Sequence, residues 1–371
     1  MNKMISIVIP STRPYLLKQT LATIAKQPCL EVCEVIICAN DNREEIKEIV
    51  NSFVNPSFFY HETPERYELL ESWQYAYKFA TGKYVTILGD DDAIVKNGIA
   101  IMVEAILQGC EYISLGVCYY GHPNMDDIGR NGLRFDMTWQ NVGRIASKDT
   151  LDHFFKFNRG VFCPTHCLVK RDILSGCHRV FGPLFPDHYF SGLGMLGSTN
   201  VLLTKQPVII HGYSIDSSAY LMINSKHKVI KWGEGAIKYS PVQAHVFANG
   251  WLETLLTLKL DYPDEFANCE IDYTNFFTIY SRELLEEACY RDVNSHYIEL
   301  EKAIRNYGVE SEDVKRTMDG ICKLMKLGIW KNYYYYELWV PGDKMGFSNI
   351  VGASGMATDI YNIKCNLPDL R

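Results

Sequence analysis

The stretch Gly82-Lys83-Tyr84-Val85-Thr86-Ile87-Leu88-Gly89-Asp90-Asp91-Asp92 decides the fold. Its apolar, β-prone centre predicts a buried strand, and Gly89 ends that strand just before three acids. Carboxylates crowded at a strand end repel one another and lose hydration, and a bound Mg²⁺ or Mn²⁺ ion offsets both penalties. The alternative is a solvated acidic turn that caps a helix starting near Ile94. The carboxyl edge of such strands commonly binds ligands, which favours the metal.

Strands and helices alternate from the N-terminus to Gln108. The predicted strands are Ile5–Ile9, Glu34–Cys38, Phe58–His61 and Tyr84–Leu88, and the predicted helices are Tyr15–Lys26, Glu44–Phe53, Leu69–Ala80 and Gly98–Gln108. This order predicts an α/β fold, with a mostly parallel, Rossmann-like sheet and helices on both of its faces.

The rest of the chain follows a different pattern. Residues 112–211 mix short strands with loops, whereas helical spacing dominates from Ala244 onward. The predicted helices are Val246–Leu260, Asn275–Tyr290, Ser295–Asn306 and Glu312–Leu327. The change near residue 225 predicts an α/β domain over 1–225 and a mainly helical domain over 226–371.

Composition restricts the class of protein. The 371 residues are 47% hydrophobic and 22% charged, as in soluble globular proteins. A net charge of −7 argues against a nucleic-acid partner, although a metal could still recruit an anionic nucleotide. The apolar run at residues 4–9 is short and indicates a first core strand, not a signal peptide. Twelve cysteines without a secretory signal predict reduced thiols and a cytoplasmic location.

One group of cysteines and histidines has the residue types of a zinc site. Its members are Cys163, His166, Cys167, Cys177 and His178. The neighbouring Leu168-Val169 run is typical of a core strand. We therefore expect buried thiols and a hydrogen-bonded histidine, with zinc as the alternative.

Three segments in this order resemble family-2 nucleotide-sugar glycosyltransferases with the GT-A fold. They are Ser6–Arg13, Glu34–Asp41 and Trp73–Asp92. The resemblance covers residues 4–215. It implies a metal-dependent, inverting transfer of a sugar from a nucleoside diphosphate to a hydroxyl of a glycan, a lipid-linked or a protein acceptor.

The resemblance also implies residues that bind the donor. Backbone groups of Pro10 and Ser11 would face the nucleotide, and Arg13 would reach the ribose or a phosphate. Asp41 would accept a hydrogen bond from the uracil imide, which implies a UDP-sugar; a turn-forming Asn-Asp-Asn is the alternative. Arg66 would lie near the base and phosphates, with a surface ion pair to Glu65 or Glu68 as the alternative. For the nearby Trp73 and Tyr77 we expect core packing.

The resemblance also implies a separate role for each of the three acids that follow the strand. In an extended segment, Asp90 and Asp92 point to one side, so that one binds ribose and Asp92 ligates the metal. Asp91 would lie behind the residues that touch the metal and would belong to the donor-binding group. His211, at the end of a strand over Pro207–Ile210, would be a further Mn²⁺ ligand or a structural residue. The adjacent serines would belong to a lid over the donor; they are Ser214, Ser217 and Ser218.

The catalytic base has a candidate in Phe185-Pro186-Asp187-His188-Tyr189-Phe190. The family places an acid here, at the start of a helix. Asp187 would take the proton of the acceptor hydroxyl, with a pKa raised by desolvation, or would serve only as the helix N-cap. His188 is a competing base.

Other functions and partners remain open from sequence. A nucleotidyltransferase would also use an α/β fold with metal-binding acids, but residues 10–18 lack a glycine-rich phosphate loop. A non-catalytic sugar-binding scaffold is the third option. The C-terminal region would serve assembly or acceptor placement. Its segment Lys323–Trp339 combines lysines with aromatic rings, which suits packing or self-association into a homo-oligomer, contact with the inner face of the membrane, or glycan binding.

Overall fold

The structure is a computed structural model. It describes residues 3–125, 130–136, 144–145, 147–158, 165–217, 237–244, 246–288, 293–327, 337–342 and 347–365. Some residues discussed above lie outside the described part, namely Cys163, Ser218 and residues 328–336 of the C-terminal segment. No helix in the described ranges is long and apolar enough to cross a membrane.

The first half of the chain alternates strands and helices as predicted. The elements are β1 Ile5–Ser11, α1 Pro14–Ile24, β2 Cys33–Ala39, α2 Arg43–Ser52, β3 Phe58–Glu62, α3 Leu69–Tyr77, β4 Tyr84–Ile87, β5 Ala93–Ile94 and α4 Gly98–Leu107. The apolar runs of β1, β2 and β4 are almost wholly buried, as expected for strands covered on both faces.

The second half adds strands to the sheet and then a group of helices. The strands are β6 Tyr112–Gly121, β7 Gly132–Asp136, β8 Arg144–Ile145, β9 Cys167–Lys170, β10 Val201–Tyr213 and β11 Glu337–Pro341. The helices are α5 Ser147–Phe155, α6 Pro186–Gly197, α7 Phe247–Asp261, α8 Tyr273–Ala288, α9 Asn294–Asn306, α10 Glu312–Leu327 and α11 Ile350–Cys365. The helices predicted after Ala244 are confirmed.

The sheet is mixed. Its main path runs β11-β7-β6-β9-β4-β1-β2-β3, and β10 pairs with β5, β6 and β8. The predicted parallel pairing holds for β1 with β2 and β4, and for β2 with β3. In contrast, β9 lies antiparallel between β4 and β6. The start of β9 therefore lies beside the end of β4, where the three acids follow.

Two layers of helices cover the sheet. Neighbouring residues of β1 point to opposite faces, so Ile7 packs with α1, α2 and α4 while Val8 joins the other core. That second core continues without a break from α5 and α6 into α7, α8, α9 and α10. An ion pair joins the two parts, since Arg179 Nε and the Tyr189 hydroxyl both donate to Asp261, at 2.8 and 2.6 Å. The boundary near residue 225 falls outside the described ranges and stays a prediction.

The last helix returns to the sheet. Buried residues of α11, including Ile350 and Ala353, pack with Tyr120 of β6 and Phe135 of β7. The backbone N–H of Lys96 donates to the Ser354 carbonyl at 3.1 Å. The C-terminal helix thus contacts the segment that follows the three acids.

Candidate active site

The three acids form a tight turn. The Asp92 N–H donates to the Gly89 carbonyl at 3.3 Å, and all three acids are at least 94% buried. The extended geometry expected for Asp90 and Asp92 is therefore wrong, and their side chains point to different partners. The Thr20 hydroxyl of α1 supports this turn, 2.8 and 2.6 Å from the carbonyl oxygens of Asp90 and Asp92.

Asp90 is engaged by the loop between β1 and α1. Its Oδ2 accepts hydrogen bonds from the Ser11 hydroxyl at 2.9 Å and from the N–H groups of Thr12 and Arg13 at 3.0 Å. Its Oδ1 accepts from Arg13 Nε at 2.9 Å and also contacts Nη2. Asp90 thereby fixes the loop that carries Pro10, Ser11 and Arg13, the predicted nucleotide contacts.

Asp91 pairs with the same arginine, through Oδ2 and Arg13 Nη1 at 3.0 Å. Burial raises the pKa of Asp91 to about 7, against the opposing charge of Arg13, and the neighbouring carboxylates add to the rise. The Arg13 guanidinium is thus held between two buried acids at the end of β4.

Asp92 faces two histidines. Its Oδ2 lies 3.0 Å from His166 Nε2, and its Oδ1 lies 3.1 Å from His211 Nδ1. Backbone N–H groups of Gly89 and Gly212 donate to the same two oxygens, at 2.8 and 3.0 Å. The carboxylate is therefore held from both sides.

These three side chains are a possible metal-ligand set. Their ligand atoms lie within 4.8 Å of one another, and they form the one such group of three in the described part of the chain. Burial alone would raise the pKa of Asp92, but the charges of His211 and His166 bring it well below its usual range. Burial alone would lower the pKa of His211, and the Asp92 carboxylate raises it instead.

Two of these three side chains, Asp92 and His211, were predicted from the sequence as metal ligands. His211 lies inside β10, not at its end as predicted, because β10 continues to Tyr213. His166 was grouped with cysteines, but Cys167 is buried in β9 and the His178 ring packs at a tilt against Tyr262, with ring centroids 5.0 Å apart. The expected hydrogen-bonded histidine is confirmed. Its partner is set by the antiparallel pairing of β9 with β4, which residue spacing does not reveal.

Two glycines allow the backbone to close around the acids. A Cβ at Gly212 would lie 1.8 Å from the Asp91 carbonyl oxygen, and one at Gly89 would lie 2.8 Å from Asp91 Oδ1. The buried His122 adds a contact of 3.0 Å from Nε2 to the same carbonyl oxygen. From sequence, Gly89 was identified only as the end of the strand, and no supporting role was predicted for Gly212 or His122.

The end of the site away from the three acids is open to solvent. Residues 40–45 line a surface cleft together with Arg66. Arg66 Nη1 lies 3.3 Å from Asp41 Oδ2. The ion pair of Arg66 is therefore with Asp41, the residue predicted to contact uracil, and not with Glu65 or Glu68. Behind the cleft, the Asn40 side chain bonds both the N–H and the carbonyl of Tyr67, at 2.8 Å each. The neighbouring Trp73 packs against Phe181, as expected.

Asp187 lies in the first turn of α6. The N-cap is Phe185, so the prediction that Asp187 is the cap is wrong. Its Oδ1 accepts from the His188 N–H at 2.9 Å and lies 3.1 Å from His188 Nδ1. Burial favours a raised pKa, but the charge and hydrogen bonds of His188 outweigh it, and the pKa is lowered. The expected rise in the pKa of Asp187 is therefore not observed.

His188 is enclosed by aromatic rings. Its side chain is 1% exposed, and the rings of Phe185, Phe247 and Trp251 have centroids 4.9 to 5.5 Å from its own. The Asp187 side chain is 25% exposed. Of the two candidate bases, Asp187 is therefore the more exposed.

A loop after β10 lies over the start of α1. Ser214 and Ser217 are buried and hydrogen-bonded to each other within this loop. The exposed Tyr15 hydroxyl donates to Asp216 at 2.8 Å. The loop that begins beside His211 thus reaches the helix that follows Arg13.

Comparison with known proteins finds a family that matches the first part of the chain. Residues 6–176 match the family described as "Glycosyl transferase family 2". Glycosyltransferase GlyG from Streptococcus pneumoniae serotype 4 (strain ATCC BAA-334 / TIGR4) is 25% identical over 198 residues, which are 50% of this chain and 63% of GlyG. The chain therefore spans less than two thirds of that relative. Residues 6–176 therefore match a family-2 glycosyltransferase domain, and the resemblance expected from the sequence is confirmed over that segment.

Two solved structures show a distant likeness. One is S. aureus TarS 1–349 in complex with UDP-GlcNAc, at 11% identity and a TM-score of 0.49, covering 89% of this chain and 94% of that one. The other is the mannosyltransferase PcManGT from Pyrobaculum calidifontis in complex with GDP-Man and Mn²⁺. Its identity is 12% and its TM-score 0.40, with 87% of each chain covered.

Proposed function

We propose that this protein is a glycosyltransferase that moves a sugar from UDP to an acceptor hydroxyl, with inversion at the anomeric carbon and with a divalent metal. The observation that carries the proposal is the Asp92, His166 and His211 cluster, at the carboxyl edge of the strands that also carry Arg13 and Asp41. A nucleotide could extend from the cleft at Asp41 to the buried acids.

The donor set fits a divalent metal. One carboxylate and two imidazoles are ordinary ligands for Mn²⁺ and its neighbours. Asp92 and His211 would hold the ion at the donor diphosphate. When bound, the ion neutralises the negative charge that gathers on the departing diphosphate.

The nucleoside would occupy the open cleft. The Asp41 carboxylate can accept a hydrogen bond from the imide N–H of uracil, and Arg66 beside it supplies positive charge toward the donor. Asp90 would act indirectly, because its oxygens hold the loop of Ser11 and Arg13 in place.

Asp187 is the proposed base. Its lowered pKa keeps the carboxylate ionised at neutral pH, the form that accepts a proton from the acceptor hydroxyl. In a single displacement that hydroxyl attacks the face opposite the diphosphate, which gives inversion. A glycan, a lipid-linked oligosaccharide or a protein could supply the hydroxyl.

The helical C-terminal region packs against α6, the helix that carries Asp187, and would support the reaction through that contact. Its helices share a core with α6, and Asp261 of α7 binds Arg179 and Tyr189. We assign it to acceptor placement or assembly, either of which would act through the helix that carries Asp187.

A donor screen tests the proposal. Nucleotide sugars are incubated with the full chain and Mn²⁺ or Mg²⁺, and released nucleotides are measured. We expect UDP from a UDP-sugar, and a product of inverted anomeric configuration by NMR once an acceptor is found. Release of pyrophosphate, or retention of configuration, would overturn the proposal.

A further inference from the structure

We infer that His166 is a third protein ligand of the metal, which makes the site selective for transition-metal ions such as Mn²⁺ over Mg²⁺. The inference rests on the proposed function, in that the metal is the one that holds the donor diphosphate. It assigns a role to a residue outside the acidic motif and decides between the two metals.

The three acids provide only one carboxylate for a metal. Asp90 accepts hydrogen bonds at both oxygens from the β1–α1 loop, and Asp91 is paired with Arg13. Asp92 alone faces the cluster. Mg²⁺ favours sites built from oxygen ligands and water, so this arrangement offers it little beyond one carboxylate.

His166 is held as a ligand would be. Its ring is 4% exposed, its Nε2 points to Asp92, and its Nδ1 lies 3.1 Å from the Thr165 hydroxyl. Metal-binding histidines commonly use the second ring nitrogen in this way, since the hydrogen bond fixes the ring. The rings of His166 and His211 meet edge to face, with centroids 5.2 Å apart.

The orientation of Asp92 does not depend on His166. The N–H groups of Gly89 and Gly212 each hold one of its oxygens. A histidine whose purpose was to orient this carboxylate would add little to two backbone hydrogen bonds. Ligation explains better why a second imidazole is buried against the same acid.

Two imidazoles and one carboxylate form a mixed nitrogen and oxygen set. Imidazole suits the first-row transition metals, whereas Mg²⁺ is held chiefly by carboxylates, carbonyls and water. We therefore expect the site to bind Mn²⁺ at least roughly tenfold more tightly than Mg²⁺.

Pulsed EPR of Mn²⁺ bound to the full chain tests the assignment, because directly coordinated imidazole nitrogens are detected without any turnover. We expect two such nitrogens in the wild type and one in His166→Gln. The control His178→Gln changes a histidine that packs against Tyr262, away from Asp92, and should keep two coordinated nitrogens. Calorimetry should show Mn²⁺ binding weakened about tenfold to a hundredfold in His166→Gln, with melting curves as the check on folding.

A second variant keeps the test decisive if His166→Gln folds poorly. His166→Asp replaces a nitrogen ligand by oxygen, so the ratio of Mn²⁺ to Mg²⁺ affinity should fall. One coordinated nitrogen in the wild type, or an unchanged ratio of Mn²⁺ to Mg²⁺ affinity in His166→Asp, would overturn the inference. If the wild type still turned over a UDP-sugar with metal, the proposed function would stand without it. Two nitrogens without turnover of any nucleotide sugar would support the site and contradict the function.

Discussion

The two ends of the proposed donor site are built differently. Around Asp92 every carboxylate oxygen has a buried partner, whereas the Asp41–Arg66 pair joins side chains that are 42% and 76% exposed. Removing one partner of a buried ion pair commonly costs about 3–5 kcal/mol, while exposed pairs contribute about 0–1 kcal/mol. The end around Asp92, where the diphosphate is proposed to bind, is therefore held rigidly in place. The open end around Asp41 and Arg66 should contribute only weakly to binding of the nucleoside.

The largest effect should come from the glycine behind the acids. Gly212→Ala would place a methyl group 1.8 Å from the Asp91 carbonyl oxygen, so backbone must move at the turn. We expect loss of Mn²⁺ binding and of turnover, with a lower melting temperature. The control is Gly176→Ala, because that glycine has no neighbour that a Cβ would meet. Wild-type metal affinity in Gly212→Ala would show that the buried end tolerates rearrangement.

The next effect separates chemistry from binding. Asp187→Asn should slow transfer by at least about a hundredfold, since the proton acceptor is lost, while UDP affinity by calorimetry stays close to wild type. In the wild type, the lowered pKa of Asp187 keeps its carboxylate ionised at mildly acidic pH, so protonation of this base should not limit turnover there. A parallel fall in donor affinity would instead make Asp187 a donor contact.

The smallest effects are expected at the open end. Asp41→Ala should weaken UDP binding by about tenfold or less, the effect of one exposed hydrogen bond, and should reduce the preference for UDP over GDP. Arg66→Ala should change affinity by less than about threefold. Calorimetry with both nucleotides measures each change. A loss larger than that of the metal-site variants would reverse the comparison.

Features set by local sequence could be predicted, whereas features set by long-range contacts could not. Alternating strands and helices follow from local periodicity, so the first four strands and their parallel pairing were found, and Arg66 and Asp41 were assigned to one region. A turn after Gly89 was predicted only as the alternative and as solvated, because its buried geometry depends on contacts from Thr20 and Gly212, which are distant in sequence.

Long-range packing also accounts for the other errors. His166 reaches Asp92 only because β9 inserts antiparallel beside β4. The pKa of Asp187 is lowered by a histidine whose ring orientation is set by α7 residues such as Trp251. Sequence spacing contains neither pairing direction nor ring orientation.

The central claim is that the buried end supports metal-dependent transfer through Asp92, and turnover of Asp92→Asn with excess Mn²⁺ tests it most directly. Loss of one ligand charge should reduce donor turnover by about a thousandfold or more, and a melting curve checks that the variant is folded. Asp172→Asn, at an exposed acid, is the matched control and should remain fully active. Near-normal turnover of a folded Asp92→Asn protein would contradict the metal role of this site.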